Sequence, residues 1–137
     1  MGLDGILYGT YICYESTFPE LTRQLVKKGA QVLVNLSNDS WFGQGLGAQQ
    51  HFLMGTVRAI ETRRYLLRSG NDGITAVVDP RGQTLGTLPS VERGVLLARF
   101  STLEEMTPFV KYGNWILSFA LIALLGGLPL LLRRRAG

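Results

Sequence analysis

The sequence predicts a layered α/β domain followed by one membrane-spanning helix. Segments typical of strands and helices alternate through the first half of the chain, and short strands with tight turns follow. This order favours a layered α/β fold over a helical bundle or a β-sandwich. A long uncharged apolar run near the C-terminus predicts the membrane helix. The 137 residues suffice for one domain but not for two that each bury a substantial core.

Composition excludes several classes of protein. Lys and Arg number 14 against 10 Asp and Glu, but three of the positive charges are the consecutive arginines at 133–135. A nucleic acid duplex requires basic residues spread over a folded face, so we expect no nucleic acid partner. A hydrophobic fraction of 46% with 18% charged residues excludes intrinsic disorder. The single Cys13 excludes an intrachain disulfide and a Cys-rich metal site, and we expect neither a metal nor another cofactor.

The apolar run predicts a transmembrane helix over residues 115–132. From Tyr112 to Leu132 there are 21 residues without a charge, and at about 1.5 Å per residue a helix of that length covers the roughly 30 Å hydrocarbon core. Aromatic residues at one end and arginines at the other are typical interfacial anchors. The alternative interpretation of this apolar run is a helix buried in the core of the domain. Basic residues favour the cytoplasmic side, so we expect the tail 133–137 in the cytoplasm and the domain in the periplasm.

The first strand and helix of the domain each have a local signal. Residues 6–12 are rich in Ile, Leu and Tyr and predict a strand. Thr17 and Glu20 have the spacing of a capping box, which predicts a helix start, and Gly29 supplies its C-terminal stop. Residues 32–36 form a nearly continuous apolar run, which predicts the next strand in a sheet covered on both faces.

A second helix is predicted from about 48 to 64, after a polar, aromatic and Gly-rich loop. Leu53, Val57 and Ile60 recur at helical spacing and predict its buried side. The charged residues of 58–64 are typical of a solvated helix face with internal ion pairs.

Three further strands complete the predicted domain. They are expected over 65–69, 74–79 and 94–100, with tight turns at 71–73 and 80–82. We therefore assign 1–105 to the α/β domain and 106–114 to a linker that keeps this domain close to the membrane surface.

Candidate chemistry begins at Cys13. It follows a strand and precedes a helix, so its sulfur is expected near backbone amides and the positive end of a helix dipole, which both favour the thiolate. A lone Cys is otherwise commonly a small buried core residue. Tyr14 and Glu15 follow in the turn, where open α/β sheets place reacting groups. Two roles are open for Glu15, which either orients a catalytic group or only complements the helix dipole.

A second candidate loop follows the next predicted strand. Asn38, Asp39, Trp41 and Phe42 lie at its C-terminal end, so we expect them to line the same crevice as the cysteine and to bind substrate. An ordinary turn that uses Asn and Asp is the alternative, but two exposed aromatic residues favour a pocket or a lipid-facing loop. His51 is the only histidine and is expected to be structural or solvated at the start of its helix.

Two blocks of sequence carry a family resemblance. The first is a Cys-Tyr-Glu turn leading into a Phe-Pro-Glu helix start, at 13–20. The second runs from Arg-Ala-Ile-Glu at 58–61 to the Gly-Asn-Asp-Gly turn at 70–73. Together they resemble the nitrilase superfamily of carbon-nitrogen hydrolases, with similarity from about residue 11 to residue 100. This resemblance implies the C-terminal half of a nitrilase-like α-β-β-α sandwich.

Three further segments narrow the resemblance. The loop at 37–43, the Gln-His pair at 50–51, and 107–115 leading into an apolar helix are similar to the apolipoprotein N-acyltransferase family. That similarity implies an enzyme of the bacterial inner membrane with a periplasmic catalytic domain. Its substrates would be a phospholipid acyl donor and the N-terminal amine of a diacylglyceryl apolipoprotein, and membrane lipids would surround it.

The resemblance also implies a mechanism and site residues. Cys13 would be the nucleophile and form a thioester, while Tyr14 and Glu15 would shape the site. The family uses a Glu base and a Lys that lie well before the cysteine, whereas only Asp4 precedes Cys13 as an acidic residue here. We therefore expect this chain to be the C-terminal portion of such an enzyme and to be incomplete alone. The alternatives are an amidase of the ordinary nitrilase kind and a non-catalytic, membrane-anchored remnant that binds lipid or a partner.

Overall fold

The described part of the chain contains a single sheet with helices. The computed structural model describes residues 2–3, 5–43, 45–88 and 93–135, with side chains except at 2–3 and 127–135. Six strands form the sheet: β1 (Gly2–Leu3), β2 (Ile6–Ile12), β3 (Val32–Asn38), β4 (Tyr65–Asn71), β5 (Thr75–Val78) and β6 (Thr84–Leu88). The α-helices are α1 (Pro19–Lys27), α2 (Gly47–Thr62), α3 (Pro108–Tyr112) and α4 (Trp115–Arg135). This alternation confirms the predicted α/β class.

Parallel pairing brings three strand ends to one edge of the sheet. The sheet order is β1-β2-β3-β4-β5-β6, in which β2, β3 and β4 run parallel and the other neighbours pair antiparallel. Crossover helices α1 and α2 connect the parallel strands, as such pairs require. The carboxyl ends of β2, β3 and β4 therefore lie side by side, and the segments that follow Ile12, Asn38 and Asn71 meet there.

The core lies between the sheet and helices α1 and α2. Alternate strand residues point to this face because side chains of a strand alternate between its two sides. Gly9 allows α1 to approach, since a Cβ at that position would lie 2.8 Å from the Cβ of Ala30. The buried cluster comprises Tyr11, Val26, Ala30, Leu33, Ala59, Leu66, Val78 and Val110.

The predicted buried side of α2 is wrong. Leu53, Val57 and Ile60 are 59%, 41% and 44% exposed. The helical period is as predicted, but the face turned to the sheet is polar and small, because the sheet beneath it carries the buried Arg68. Gly55 lies over this arginine, because a Cβ at that position would be in ordinary contact with an Arg68 Nη1 atom at 3.8 Å. The buried residues of α2 are His51, Gly55, Arg58, Ala59 and Thr62.

The charged residues of 58–64 do not form a solvated face. Arg58 and Arg64 are buried, and Arg58 pairs with Glu61 at 3.2 Å. The Arg64 guanidinium donates to the carbonyls of Ala30 at 2.9 Å and Glu105 at 2.8 Å. Its Nη1 also donates to the carbonyls of Thr62 at 3.2 Å and Arg63 at 3.0 Å, at the C-terminal end of α2. Helix ends leave carbonyls without helical partners, and the five donors of an arginine can satisfy several carbonyls at once.

The predicted capping box of α1 does not form. A 3₁₀ helix spans Cys13–Thr17, so Thr17 is its last residue, and the Thr17 Oγ1 donates to the Tyr14 carbonyl at 2.9 Å. The helix α1 begins after Phe18, without a side-chain cap. The predicted stop is confirmed, because Gly29 adopts a positive φ of 98° directly after the helix.

The predicted strand over 94–100 is also wrong. These residues have no regular secondary structure, and the last strand of the sheet is instead β6. Val95 and Leu97 are strongly exposed, and Val95, Leu96, Ala98 and Phe100 line an open cavity of about 390 Å³ against one face of the sheet. A strand-like composition does not form a strand unless a sheet edge pairs with it.

The segment assigned as a linker contains the short helix α3. Thr107 is its N-cap, because its hydroxyl accepts from the Val110 amide at 3.0 Å. Val110 is fully buried, and the Arg23 Nε donates to the carbonyls of Phe109 at 3.1 Å and Val110 at 3.0 Å. This part of 106–114 therefore packs against α1.

The C-terminal apolar run is helical. Helix α4 has 21 residues and includes the whole of the predicted span 115–132. Within the part of the chain that the structure describes, no helix is both long and apolar enough to cross a membrane. The side chains of 127–132 and of the basic tail 133–137 lie outside the described residues. The membrane span is therefore not confirmed and stays a prediction.

Candidate active site

Cys13 lies where β2 ends and the 3₁₀ helix begins. Its φ is 46°, in the left-handed region that residues with a Cβ seldom occupy. Such a conformation costs about 1–2 kcal/mol and persists only where surrounding contacts hold it. Its half-buried Sγ donates to the carbonyl of Asn38 at 3.7 Å. The turn thus directs the sulfur toward the end of the neighbouring strand β3.

Main-chain contacts close this turn. The Glu15 carboxylate accepts from the Ile12 amide at 2.6 Å, and the Phe18 amide donates to the Glu15 carbonyl at 3.1 Å. The Glu15 carboxylate thus holds the main chain directly before Cys13, and the two roles left open for Glu15 both stay open. Tyr14 remains half exposed beside the sulfur.

A buried arginine lies beneath the turn. The Arg68 side chain on β4 is inaccessible, and its Nη2 is 2.7 Å from the Asp39 Oδ2. Its Nη1 donates to the Asn35 Oδ1 at 2.8 Å. The Ser37 hydroxyl donates to the other oxygen of Asp39 at 2.6 Å. Because a buried charge is costly without partners, this arrangement supplies one counter-charge and several hydrogen bonds for a single guanidinium.

Two chains of contacts run from Arg68 to the Cys13 carbonyl. In the first, the Asn35 Nδ2 donates to that carbonyl at 3.5 Å and to the Tyr11 carbonyl at 3.3 Å. In the second, the His51 Nδ1 is 2.9 Å from the Asp39 Oδ1 and its Nε2 is 3.0 Å from the Cys13 oxygen. We call Arg68, Asp39, His51 and Asn35 the polar network. It joins the ends of β2, β3 and β4 to helix α2.

Electrostatics favour the ionised form of Asp39. Burial raises the pKa of this carboxyl, but hydrogen bonds from Ser37 and His51 and the Arg68 guanidinium outweigh burial and hold the pKa below its ordinary value. At neutral pH Asp39 is therefore an anion that balances Arg68 inside the protein.

The tight turn after β4 makes room for Asp39. A Cβ at Gly73 would lie 2.8 Å from the Asp39 Cβ, so only glycine fits at this position. The Asp39 amide also donates to the Asn71 carbonyl at 3.0 Å. The Gly-Asn-Asp-Gly block noted in the sequence thus has a packing reason, which is the close approach of the Asp39 loop.

Aromatic side chains surround the network on its open side. The centroid of the His51 ring lies 5.6 Å from that of Phe42 and 5.9 Å from that of Tyr14. The ring centroids of Trp41 and Phe42 are 5.5 Å apart, and those of Phe18 and Tyr14 are 6.2 Å apart. Trp41 is 71% exposed. We call Tyr14, Phe18, Trp41 and Phe42 the aromatic rim. It gives the surface beside Cys13 an apolar character.

The structure places the residues singled out in the sequence in different environments. Cys13, Tyr14 and Glu15 form one turn, and the Asn38 carbonyl meets the sulfur. The Asn38 side chain instead accepts from the Ser40 amide and hydroxyl, in an ordinary turn. Asp39 is buried in the polar network, away from the open surface.

Sequence reasoning missed the roles of Arg68 and Asn35, and did not place His51 at the turn. For Arg68 a signal existed, because it follows Leu66 at strand spacing and so shares the buried face of β4. A charge at such a position requires a buried counter-charge. For His51 the sequence offered no comparable signal. In the described part of the chain there is no group of three or more His, Cys, Asp or Glu side chains that could hold a metal ion.

The site can present a thiol and bind apolar groups. Residues 2–106 match the carbon-nitrogen hydrolase family, and the chain therefore belongs to this family. Among its curated relatives are the apolipoprotein N-acyltransferases of Photobacterium profundum, 41% identical over 126 residues, and of Azotobacter vinelandii, 39% identical over 126 residues. Each alignment covers 92% of this chain and 24% of the relative, so the chain spans about a quarter of their length.

A solved structure is similar in fold. It is a variant of an amidase from Nesterenkonia sp. AN1 that shows covalent addition of the acetamide moiety of fluoroacetamide at the active-site cysteine. The TM-score is 0.56 and the identity 25%, over 66% of this chain and 36% of the amidase. This similarity supports the nitrilase-like α/β fold.

The ion pair of Asp39 generates a prediction about stability and pH. At neutral pH, Asp39→Asn should lower the free energy of unfolding by about 3–5 kcal/mol, because Arg68 would stay buried without its counter-charge. A lowered folded-state pKa contributes stability above the unfolded-state value of about 3.9, which is lost as the pH falls through the lower folded-state value. The difference between wild type and variant should therefore shrink below about pH 4.

Denaturant unfolding at a series of pH values measures this difference. Asp72→Asn is the matched control, because Asp72 is exposed and its positive φ of 50° suits asparagine. It should change the free energy of unfolding by no more than about 0.5 kcal/mol at any pH. A wild-type advantage over Asp39→Asn that stays constant on acidification would contradict the ionised pair.

Proposed function

We propose that the chain carries the nucleophile of an apolipoprotein N-acyltransferase. In this reaction Cys13 accepts a fatty acyl group from a phospholipid and passes it to the N-terminal amine of a diacylglyceryl lipoprotein. One observation carries the proposal. The only cysteine of these 137 residues lies in a left-handed turn at the carboxyl end of β2, within the part that matches the carbon-nitrogen hydrolase family, with its sulfur directed toward β3. The names of the curated relatives and the active-site cysteine of the similar amidase support it.

The chemistry proceeds in two steps. The Cys13 thiolate attacks the ester carbonyl of the phospholipid, the ester C–O bond breaks, and the departing alkoxide takes a proton to leave a lysophospholipid. The lipoprotein amine then attacks the thioester, loses a proton and forms an amide, and the C–S bond breaks to return the thiol. The amide that follows the cysteine, that of Tyr14, is suited to stabilise the oxyanion of each tetrahedral intermediate.

Side chains around Cys13 suit lipid substrates. The aromatic rim offers acyl chains an apolar surface, and Ile12, 63% exposed, extends it on the other side of the turn. Trp41 and Phe42 are therefore proposed to contact the acyl chain, while Tyr14 and Glu15 shape the turn. Asn38 contributes its main-chain carbonyl, and Asp39 acts by holding its loop in place.

A base and a cation are proposed to come from outside these 137 residues. A thiol is mostly protonated at neutral pH, so acyl transfer requires a positioned base. Lys27 lies at the far end of the nine-residue helix α1, about 12 Å along its axis from the residue that follows the turn. The family resemblance implies a Glu and a Lys well before the cysteine, and the curated relatives are about four times as long as this chain.

We also infer that residues 115–132 cross the bacterial inner membrane. Side chains in the described part of this helix are exposed and apolar, and Leu117, Phe119 and Ile122 are about two-thirds exposed. Phospholipid and lipoprotein substrates both reside in a membrane, so an anchored domain would meet them at its surface. Arginines after the helix favour a cytoplasmic C-terminus and a periplasmic Cys13.

An amidase is the second candidate function. The similar fold of the Nesterenkonia amidase favours it. In an amidase reaction, water and not an amine would resolve the thioester. Mass spectrometry of the products distinguishes the two, since an N-acylated lipoprotein supports transfer whereas a free fatty acid supports hydrolysis.

Orientation can be tested with reporter fusions. Alkaline phosphatase is active only in the periplasm, so its fusion after Gly137 should be inactive when the protein is expressed with its upstream sequence. A fusion that replaces everything after Gly113 should be active and is the matched control. Phosphatase activity of the fusion after Gly137 would contradict the proposed orientation.

The nucleophile can be tested by trapping the intermediate. In a complete enzyme, or in this chain co-expressed with the upstream portion of the Azotobacter vinelandii relative, Cys13→Ser should abolish the labelled acyl-enzyme adduct. The reason is that a serine oxygen cannot form a thioester. Gel fluorography with an alkyne-labelled phospholipid measures the adduct, and sensitivity to neutral hydroxylamine identifies a thioester.

The result depends on the variant remaining folded and membrane-bound, which proteolysis and membrane fractionation test. This chain expressed alone should form no N-acylated lipoprotein, because the base and cation would be missing. A hydroxylamine-sensitive adduct in the Cys13→Ser variant would contradict the assignment of Cys13 as the nucleophile.

The aromatic rim generates a prediction about substrate preference. Replacing Trp41 and Phe42 with Ala should lower acyl transfer from phospholipid by about tenfold or more, because each buried aromatic contact contributes on the order of 1 kcal/mol. Alkylation of Cys13 by the small reagent iodoacetamide should change far less. Exposed Leu85→Ala on β6 is the control for general loss of apolar surface. Equal losses in both assays would indicate a damaged fold and contradict a role in lipid contact.

A further inference from the structure

The single histidine of the chain lies buried beside the candidate nucleophile. His51 is 2% exposed, and both ring nitrogens have close neighbours. Nδ1 faces the Asp39 Oδ1 at 2.9 Å, while Nε2 faces the Cys13 carbonyl oxygen at 3.0 Å and the Ser16 hydroxyl at 2.8 Å. The contact with Cys13 is to its main chain. The Cys13 Sγ itself donates a hydrogen bond to the Asn38 carbonyl.

The Cys13 carbonyl needs a partner of this kind. Pairing between β2 and β3 ends at Ile12 and Leu36, so the sheet does not continue to Cys13. A main-chain carbonyl at a partly buried turn requires a donor, and two side chains approach this one. The Asn35 Nδ2 is 3.5 Å away, whereas the His51 Nε2 is 3.0 Å away and is the closer of the two nitrogens.

Asp39 determines how His51 meets that carbonyl. It approaches one ring nitrogen and is itself held by Arg68 at 2.7 Å, so the ring is fixed at one edge and directs Nε2 toward the turn. Arg68 also lies 3.2 Å from Nδ1 through its Nη2. The carbonyl oxygen of Cys13 can only accept, so the bond exists only when Nε2 carries a proton. The Asp39 carboxylate also only accepts, so its contact with Nδ1 requires a proton there too, and the two contacts together need both ring nitrogens protonated with Asp39 as the counter-charge. The buried Ser16 hydroxyl, 2.8 Å from Nε2, then accepts a share of the same Nε2 proton.

We propose that His51 is a positioning residue, anchored by Asp39, that holds the Cys13 backbone in its left-handed conformation by donating a hydrogen bond to the Cys13 carbonyl. Rotation of this backbone would swing the Cα–Cβ bond and move the sulfur away from its place at the end of β3. The inference rests on the proposed role of Cys13 as nucleophile. It adds a residue that acts through the main chain of the nucleophile and takes no part in proton transfer to or from the sulfur.

Substitutions in the complete enzyme test the proposal. His51→Phe keeps a ring of similar size but donates no hydrogen bond, and it should lower kcat for acyl transfer by about tenfold to a hundredfold while KM changes by less than about threefold. His51→Gln keeps an N–H donor that can reach the carbonyl, and it should recover most of this loss. Thr62→Val is the matched control on the same buried face of α2, because it removes the bond from Thr62 to the Arg58 carbonyl at 2.7 Å, far from the turn.

If His51 had only a structural role, the three variants would differ in stability, but kcat would not be lowest in His51→Phe and largely recovered in His51→Gln. Equal kcat in wild type and folded His51→Phe would overturn the proposal. Equal loss in folded His51→Gln and His51→Phe would also overturn it, because the ring and not the donated bond would then matter.

A measurement on the wild-type chain does not depend on a variant that folds or on acyl transfer. The chain has one histidine, so ¹⁵N-histidine labelling gives a single pair of ring nitrogen signals. We expect Nε2 to carry a proton at neutral pH. An unprotonated Nε2 would exclude the bond to the Cys13 carbonyl and overturn the inference. If instead Nε2 is protonated but the complete enzyme transfers no acyl group, the proposed function fails while the contact of His51 stands.

Discussion

The ion pair between Arg68 and Asp39 determines how the site is built. An arginine on the buried face of a central strand must be neutralised and fully hydrogen-bonded, since removing one partner of such a pair costs about 3–5 kcal/mol. Meeting that requirement brings the Asp39 loop over the end of β4 and demands glycine at position 73, where any Cβ would clash. The same guanidinium orients Asn35, so the ends of the parallel strands are connected through one side chain.

This constraint also explains the unusual faces of α2. The helix packs over a polar patch of the sheet, so its buried face carries His51, Arg58 and small residues, and Leu53, Val57 and Ile60 turn outward. A hydrophobic stripe would have left Arg68 and Asp39 short of partners in a region that water does not reach. The polarity of the buried face of α2 is thus a consequence of the charge on β4. Because that face is polar, the apolar stripe at 53–60 lies on the exposed face of the helix.

The sequence predicted the parts of the fold that depend on local pattern. Strand β2 and the stop at Gly29 follow from composition and backbone preference, and the turn at Cys13 follows from its place after a strand. The face of α2 depended on its neighbour in space, so a period of 3.6 residues located the helix but not its orientation. Residues 94–100 have the composition of a strand but pair with no strand of the described sheet, and the capping box at Thr17 was lost to the 3₁₀ helix before it. For the candidate site, the turn at Cys13 could be predicted from its place after a strand, whereas His51 reaches that turn only through tertiary packing of α2.

Two requirements of a thiol nucleophile are separated in this architecture. Its direction is determined by contacts from nearby main chain and from the segment between Asn35 and His51, which lie within the chain. Its ionisation requires a base and a cation, and none of the contacts to its Sγ supplies either, because the observed partner is a neutral carbonyl. Direction is the more exacting of the two, since it needs a left-handed backbone held from several sides, whereas a charged group acts over a longer distance and tolerates looser placement. The polar network therefore holds the turn of the proposed nucleophile through contacts made within this chain.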